Sequence, residues 1–82
     1  MDELKNRLFG IMVDVFQVKK SQINMETTPE SIKEWDSLKH VLLLMAIEEE
    51  FEFRFTDDEM IKCNDAKSIW DVISKKSRSR NE

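Results

Sequence analysis

One cysteine, one glycine, one proline and no tyrosine occur in 82 residues, and each scarcity closes off a class of protein. A lone cysteine, Cys63, cannot form an internal disulfide and supplies no thiolate cluster for a metal. With so little glycine and proline, turn-rich sheet folds are disfavoured, while plentiful Leu, Met, Glu and Lys favour helices. No apolar run approaches the length of a membrane span, and the N-terminus has no signal-peptide pattern, so a cytoplasmic chain without a membrane role is expected. Basic residues are outnumbered: 13 Lys and Arg face 17 Asp and Glu, for a formal net charge of −4. An acidic surface repels nucleic-acid backbones and anionic lipid, and it suits partners that present basic patches. Eighty-two residues with 40% hydrophobic content make one domain with a small core, expected as a monomer of modest stability.

Four helical segments are legible. From Asp2 to about Phe16, the residues Leu4, Leu8, Ile11, Met12, Val15 and Phe16 keep helical spacing, and Asp2 and Glu3 suit the positive end. Gly10 in that helix reads as a tolerated weak spot rather than a close-packing site. A long connection follows over 17–35. Loops beyond about 12–15 residues are uncommon, but Val18, Ile23, Met25 and Ile32 are spaced to pin this one to a core. Asp36 is then a good N-cap and Ser37 the first residue of a second helix running to Phe51. Leu38, Val41, Leu42, Met45 and Phe51 are read as much of its apolar face. Phe51, Phe53 and Phe55 alternate with polar residues, but with no partner strand to pair they are expected to form an extended connector whose rings cover the core. Thr56 and Glu59 make a capping box for a short helix through about Ile61 or Lys62. Asn64 or Asp65 can cap the last helix, where Ala66, Ile69, Trp70 and Ile73 make one stripe ending near Lys75. The expected fold is all-α, a small four-helix bundle of three long helices and one short, with a long ordered loop between the first two.

Ser37 is the residue with chemical promise. Its hydroxyl lies at a helix mouth, exposed and beside the positive end of the dipole, a suitable place for a phosphodiester. On these three residues alone, Asp36-Ser37-Leu38 also reads simply as a helix start. In its wider setting the chain resembles the acyl carrier proteins, whose mark is Asp-Ser-Leu opening the second of their helices. Val41, Leu44, Met45, Ile47, Glu48, Glu49, Glu50 and Phe51 resemble the rest of that helix, and the likeness covers residues 2 to about 75. The resemblance implies a carrier rather than an enzyme, with 4′-phosphopantetheine from coenzyme A esterified to Ser37, flanked by Asp36 and Leu38, and acyl groups held on the arm as thioesters. It further implies a phosphopantetheinyl transferase and acyl-loading and acyl-transferring enzymes as partners, met through Leu38, Lys39, Val41, Met45 and Glu48. The carrier domain is expected over 1–76, and 77–82, polar and without apolar residues, is expected to be a disordered tail.

Each of these residues has a plainer reading. Leu38 can be a partner contact or a core residue, and Met45 is read as core packing. Glu48, Glu49 and Glu50 suit a solvated face as well as a docking surface. His40 lacks an identifiable nucleophile partner besides Ser37 and reads as a surface histidine. Asp57, Asp58 and Glu59 lack the spacing of a calcium loop, so no metal is expected. Cys63 reads as an ordinary thiol, Trp35 as a brace for the loop and Trp70 as part of the core stripe. Many carriers place an acid just after the serine; Lys39 and His40 stand there instead, which points away from general fatty-acid synthesis and towards a dedicated carrier for a secondary metabolite, lipid or cell-surface saccharide. Alternatives are a peptidyl or aminoacyl carrier and an unmodified helical adaptor.

Overall fold

In the computed structural model the backbone is described for residues 2–80 and side chains for 3–76. Four α-helices lie in order along the chain: α1 (Asp2–Phe16), α2 (Ser37–Phe51), α3 (Asp57–Lys62) and α4 (Ala66–Arg80). A 3-10 turn, Lys20–Gln22, interrupts the long loop. No strand occurs among the described residues. The fold is a small all-helical bundle of the expected kind.

Helix starts follow from local side-chain chemistry. Thr56 Oγ1 accepts the Glu59 N–H at 3.1 Å, while Glu59 Oε1 accepts the Thr56 N–H at 2.8 Å, which completes the capping box of α3. Of the two candidate caps for α4 it is Asp65 that acts, its Oδ1 accepting the Ser68 N–H at 2.8 Å. Both α1 and α2 end in left-handed residues that are not glycine, Gln17 (φ 57°) and Glu52 (φ 59°). In the absence of a glycine there, these residues bear the steric cost of the turn. The expected acidic role of Asp2 at the start of α1 falls on a side chain outside the described ones.

Leu8, Met12 and Phe16 of α1 meet Leu43, Leu44, Ile47 and Phe51 of α2 and Ala66, Ile69, Val72 and Ile73 of α4 in one buried cluster. Leu4, Ile11, Val15 and Trp70 pack against its edge. The apolar face assigned to α2 is corrected in part: Phe51 is buried, but Leu38, Val41, Leu42 and Met45 face outward. Met45, read as core, is 59% exposed. The reason is that residues 41–47 are apolar without interruption, so hydrophobicity does not select a side; packing selects Leu43, Leu44 and Ile47.

The long loop is ordered as expected, because Ile23, Ile32 and Trp35 are buried in the same cluster. Buried Thr27 fixes its middle: its Oγ1 accepts the Asn24 N–H at 2.8 Å, and its carbonyl takes the Ala66 N–H at 3.1 Å. That second bond ties the loop to the start of α4. Phe51, Phe53 and Phe55 form the expected aromatic connector, with Phe53 edge-on to Phe55 at 5.0 Å between ring centres. Lys76 crosses from α4 to lie 3.1 Å from Glu59 and over the Phe53 ring. Helix α4 runs five residues beyond the expected end near Lys75, to Arg80, since no glycine or proline stops it. The disordered tail expected over 77–82 falls in part on Asn81 and Glu82, outside the described residues.

Candidate functional site at the start of the second helix

The start of α2 is built by Asp36. Its backbone is extended (φ −103°, ψ −175°), and its Oδ1 accepts the Lys39 N–H at 2.9 Å. Its carbonyl accepts the His40 N–H, also at 2.9 Å, as the first bond of the helix. The first N–H groups of a helix have no acceptor within it, and together with the dipole they give this end a partial positive charge. Ser37 occupies the first helical position and is exposed; no acidic side chain lies in the first turn. A negative group joined to Ser37 therefore meets the favourable field of the helix end, with the neighbouring Asp36 carboxylate engaged by the Lys39 N–H.

Behind the serine the chain is clamped in a way the sequence reading did not find. Trp35, one residue before the cap, is 4% exposed. Its ring packs against Phe16, with centres 5.0 Å apart, and is near-parallel to the imidazole of His40, whose centre is 6.0 Å away. The indole Nε1–H donates to His40 Nδ1 at 3.0 Å. His40 is thus half-buried, correcting its reading as a surface residue. Burial lowers its pKa from 6.5, opposed in part by a hydrogen bond with the backbone of Cys63. The signal was present in the spacing: Trp35 and His40 occupy the N′ and N4 positions of α2, the pair that forms a hydrophobic staple at helix starts. A histidine at N4 adds a hydrogen bond to that contact.

An open groove of about 490 Å³ adjoins the serine, lined by Pro29, Trp35, Asp36, Ser37, His40, Val41 and Asn64. Further along α2, Leu38 (65% exposed), Val41, Leu42 and Met45 form an apolar strip on the surface. Met60 and Ile61 of α3 are exposed as well. Asp36, Ser37 and Leu38 therefore stand together at one helix end, and Val41 and Met45 continue outward from them, while Lys39 is half-buried. Glu48 is engaged within the chain, its Oε2 accepting the Phe55 N–H at 2.9 Å and so holding the aromatic connector. Glu50 takes the Arg7 guanidinium at 2.9 and 3.0 Å, joining α2 to α1. Cys63 is fully buried, and burial pushes its thiol up to about 11.

A small helical bundle that presents a serine hydroxyl at the mouth of its second long helix has the form of a carrier module. No family model matches the sequence. The chain is 31% identical over 77 residues to the acyl carrier protein of Buchnera aphidicola subsp. Acyrthosiphon pisum, covering 94% of this chain and 96% of that one. It is 32% identical over 74 residues to the acyl carrier protein of Chlorobium phaeovibrioides, covering 90% and 95%. That of Coprothermobacter proteolyticus is 32% identical over 71 residues, covering 87% and 82%. This chain belongs to the acyl carrier protein family. Its role is accordingly that of a carrier and not of an enzyme, and the family implies a phosphopantetheine prosthetic group.

Proposed function

We propose that this protein carries acyl groups on a 4′-phosphopantetheine arm joined to Ser37. The observation that carries the reading is an exposed primary hydroxyl at the first position of α2, behind an Asp36 cap. The surroundings fit the group: the helix end favours a phosphodiester, and the adjoining groove offers an apolar wall from Trp35 and Val41 for the arm. When bound, the group supplies a terminal thiol on a flexible tether, where an acyl group is held as a thioester at high effective concentration for successive enzymes.

The carrier's own part in attachment is to present the nucleophile. Ser37 Oγ forms a bond to the coenzyme A phosphorus that bears the pantetheine; the pyrophosphate bond breaks, and adenosine 3′,5′-bisphosphate leaves with the electron pair. The hydroxyl proton passes to a base on the transferase, whose metal ion offsets the developing charge. His40 Nδ1 is committed to the Trp35 indole and is not available to take that proton, and Asp36 Oδ1 is used in capping the Lys39 N–H.

Partner enzymes meet the chain on the outward strip of Leu38, Val41 and Met45, with Lys39 beside it. Glu48 contributes by holding the connector rather than as a docking charge. The setting is cytoplasmic. A dedicated pathway is favoured over general fatty-acid synthesis because the first turn of α2 holds Lys39 and no acid. His40 adds nothing to that argument, since burial disfavours its charged form.

Intact mass before and after incubation with coenzyme A and a broad-specificity phosphopantetheinyl transferase tests attachment. The wild type gains one phosphopantetheine and Ser37→Ala gains none. No gain with several transferases would return Asp36-Ser37-Leu38 to a helix cap and the chain to an unmodified adaptor. For the pathway, an acyl-loading enzyme of general fatty-acid synthesis charges the modified chain slowly, and Lys39→Glu speeds it; equal rates would sink the dedicated-carrier reading.

A further inference from the structure

We infer that His40 is a positioning residue for Ser37: its neutral ring latches Trp35 to α2, and protonation releases the loop that leads into the serine. The inference rests on the attachment reading only for its functional consequence.

The geometry is specific about protonation. An indole N–H is a donor and never an acceptor. The 3.0 Å bond from Trp35 Nε1 therefore requires a lone pair on His40 Nδ1, which fixes the neutral ring with its proton on Nε2. The imidazolium has donors at both nitrogens, so this bond cannot survive protonation. Trp35 is 4% exposed, and its freed N–H would stay buried without an acceptor unless the residue moved. Its ring also packs on Phe16, the last residue of α1, so movement there is felt at the end of α1. Trp35, His40 and Ser37 all border the groove beside the attachment site.

The titratable groups around the ring leave its charge uncompensated by a direct partner. Beside α2 stand Asp36, one oxygen of which accepts the Lys39 N–H, and Lys39, neither in an ion pair with the ring among the described residues. Glu34 lies one residue from Trp35 on the loop. At the α3–α4 junction Cys63 is held as a neutral thiol, and Asp65 is engaged by Ser68. Phe16, the α1 residue in contact with Trp35, is not titratable. With the folded pKa below the unfolded value of 6.5, the unfolded chain binds more protons between the two values. Stability contributed by neutral His40 is thus lost as pH falls from 6.5 through the folded value.

Two arms test the inference on the full chain. In the first, ring-nitrogen and indole resonances of the unmodified ¹⁵N-labelled protein are followed from neutral to mildly acidic pH, with Trp70→Phe used to assign the indoles. His40 titrates below 6.5, and the Trp35 indole shifts with the same midpoint. In His40→Asn, whose side-chain oxygen takes the place of Nδ1, the Trp35 signal holds still. In the second arm, transferase KM for the carrier is compared between wild type and His40→Asn at each pH, so that the transferase's own profile cancels. The ratio rises by roughly two- to tenfold on crossing the midpoint, the range of one hydrogen bond, with kcat little changed. A Trp35 signal that ignores the His40 titration, or one that still steps in His40→Asn, would overturn the latch; so would a KM ratio flat across the midpoint. If the wild type accepts no phosphopantetheine even at neutral pH, the attachment reading falls, and the first arm alone decides the latch.

Discussion

Replacing Gly10 by alanine is expected to stabilise this protein, and the structure gives both the sign and the size. Gly10 lies mid-way along α1 and is exposed. A Cβ built there meets no atom within 4 Å beyond the helix's own backbone and the chain neighbours, so the methyl group enters open space. What remains is backbone entropy: glycine in a helix interior is about 0.8–1.0 kcal/mol worse than alanine because the unfolded chain loses more freedom on folding. A gain near 1 kcal/mol in a domain of this size corresponds to roughly 4–8 °C in Tm. Urea unfolding followed by circular dichroism at 222 nm should show the midpoint rise by roughly 0.3–1 M with an unchanged slope, given m-values of about 1–3 kcal/mol/M. Gly10→Val separates the causes: it brings a larger side chain into the same open space but a poorer helix former, so it should gain less than alanine. A midpoint that falls in Gly10→Ala, or a valine variant that gains more than alanine, would refute the entropic account and mean that the bare backbone at Gly10 serves packing.

Other expectations follow from single contacts. Glu48→Ala removes the acceptor of the Phe55 N–H and should destabilise the fold by about 1–3 kcal/mol in urea titrations, the cost of orphaning a partly buried donor. A loss confined to partner binding, with the midpoint unmoved, would return Glu48 to a docking role. Cys63, with its thiol pushed up to about 11, holds only about one thiolate in a thousand at pH 8. Ellman's reagent should therefore react with it only on unfolding, and prompt reaction in the native protein would contradict its burial. Glu59 lies below its ordinary value of 4.5, chiefly because its carboxylate accepts the Thr56 N–H, with Lys76 adding to the effect. Its contribution is present above pH 4.5 and lost as pH falls through the lower folded value. Glu59→Gln should flatten that acid limb of the stability curve, and a limb of unchanged slope would place the acid sensitivity elsewhere.

Helix starts were legible because they are settled locally. Asp36, Thr56 and Asp65 are short polar side chains that reach backbone donors three residues on, Glu59 reaches back to the Thr56 N–H, and neither burial nor topology is needed to see it. The exposed position of Ser37 followed from the same logic. The side of α2 that would be buried did not, because seven consecutive apolar residues over 41–47 remove the contrast on which periodicity depends. The pairing of Trp35 with His40 was also missed, though the two stand five apart across a helix start. Histidine carries no apolar signal of its own, and the bond that buries it depends on how the loop seats Trp35 beside α2. The tie between Thr27 and Ala66 joins residues far apart in the chain, and no local pattern announces such a bond.

The outward strip of α2 also bears on how copies of this protein behave towards one another in a crowded solution. Four large apolar side chains held in one row are a standing invitation to self-association, and the opposing influence is a net charge of −4 shared by every copy. At low ionic strength that charge acts over tens of ångströms, whereas near 1 M salt its reach shrinks to about 3 Å and the strips can meet. Concentrated stocks should therefore stay dispersed in dilute buffer and drift towards oligomers as salt is added, the reverse of what is expected of a protein whose association is driven by opposite charges.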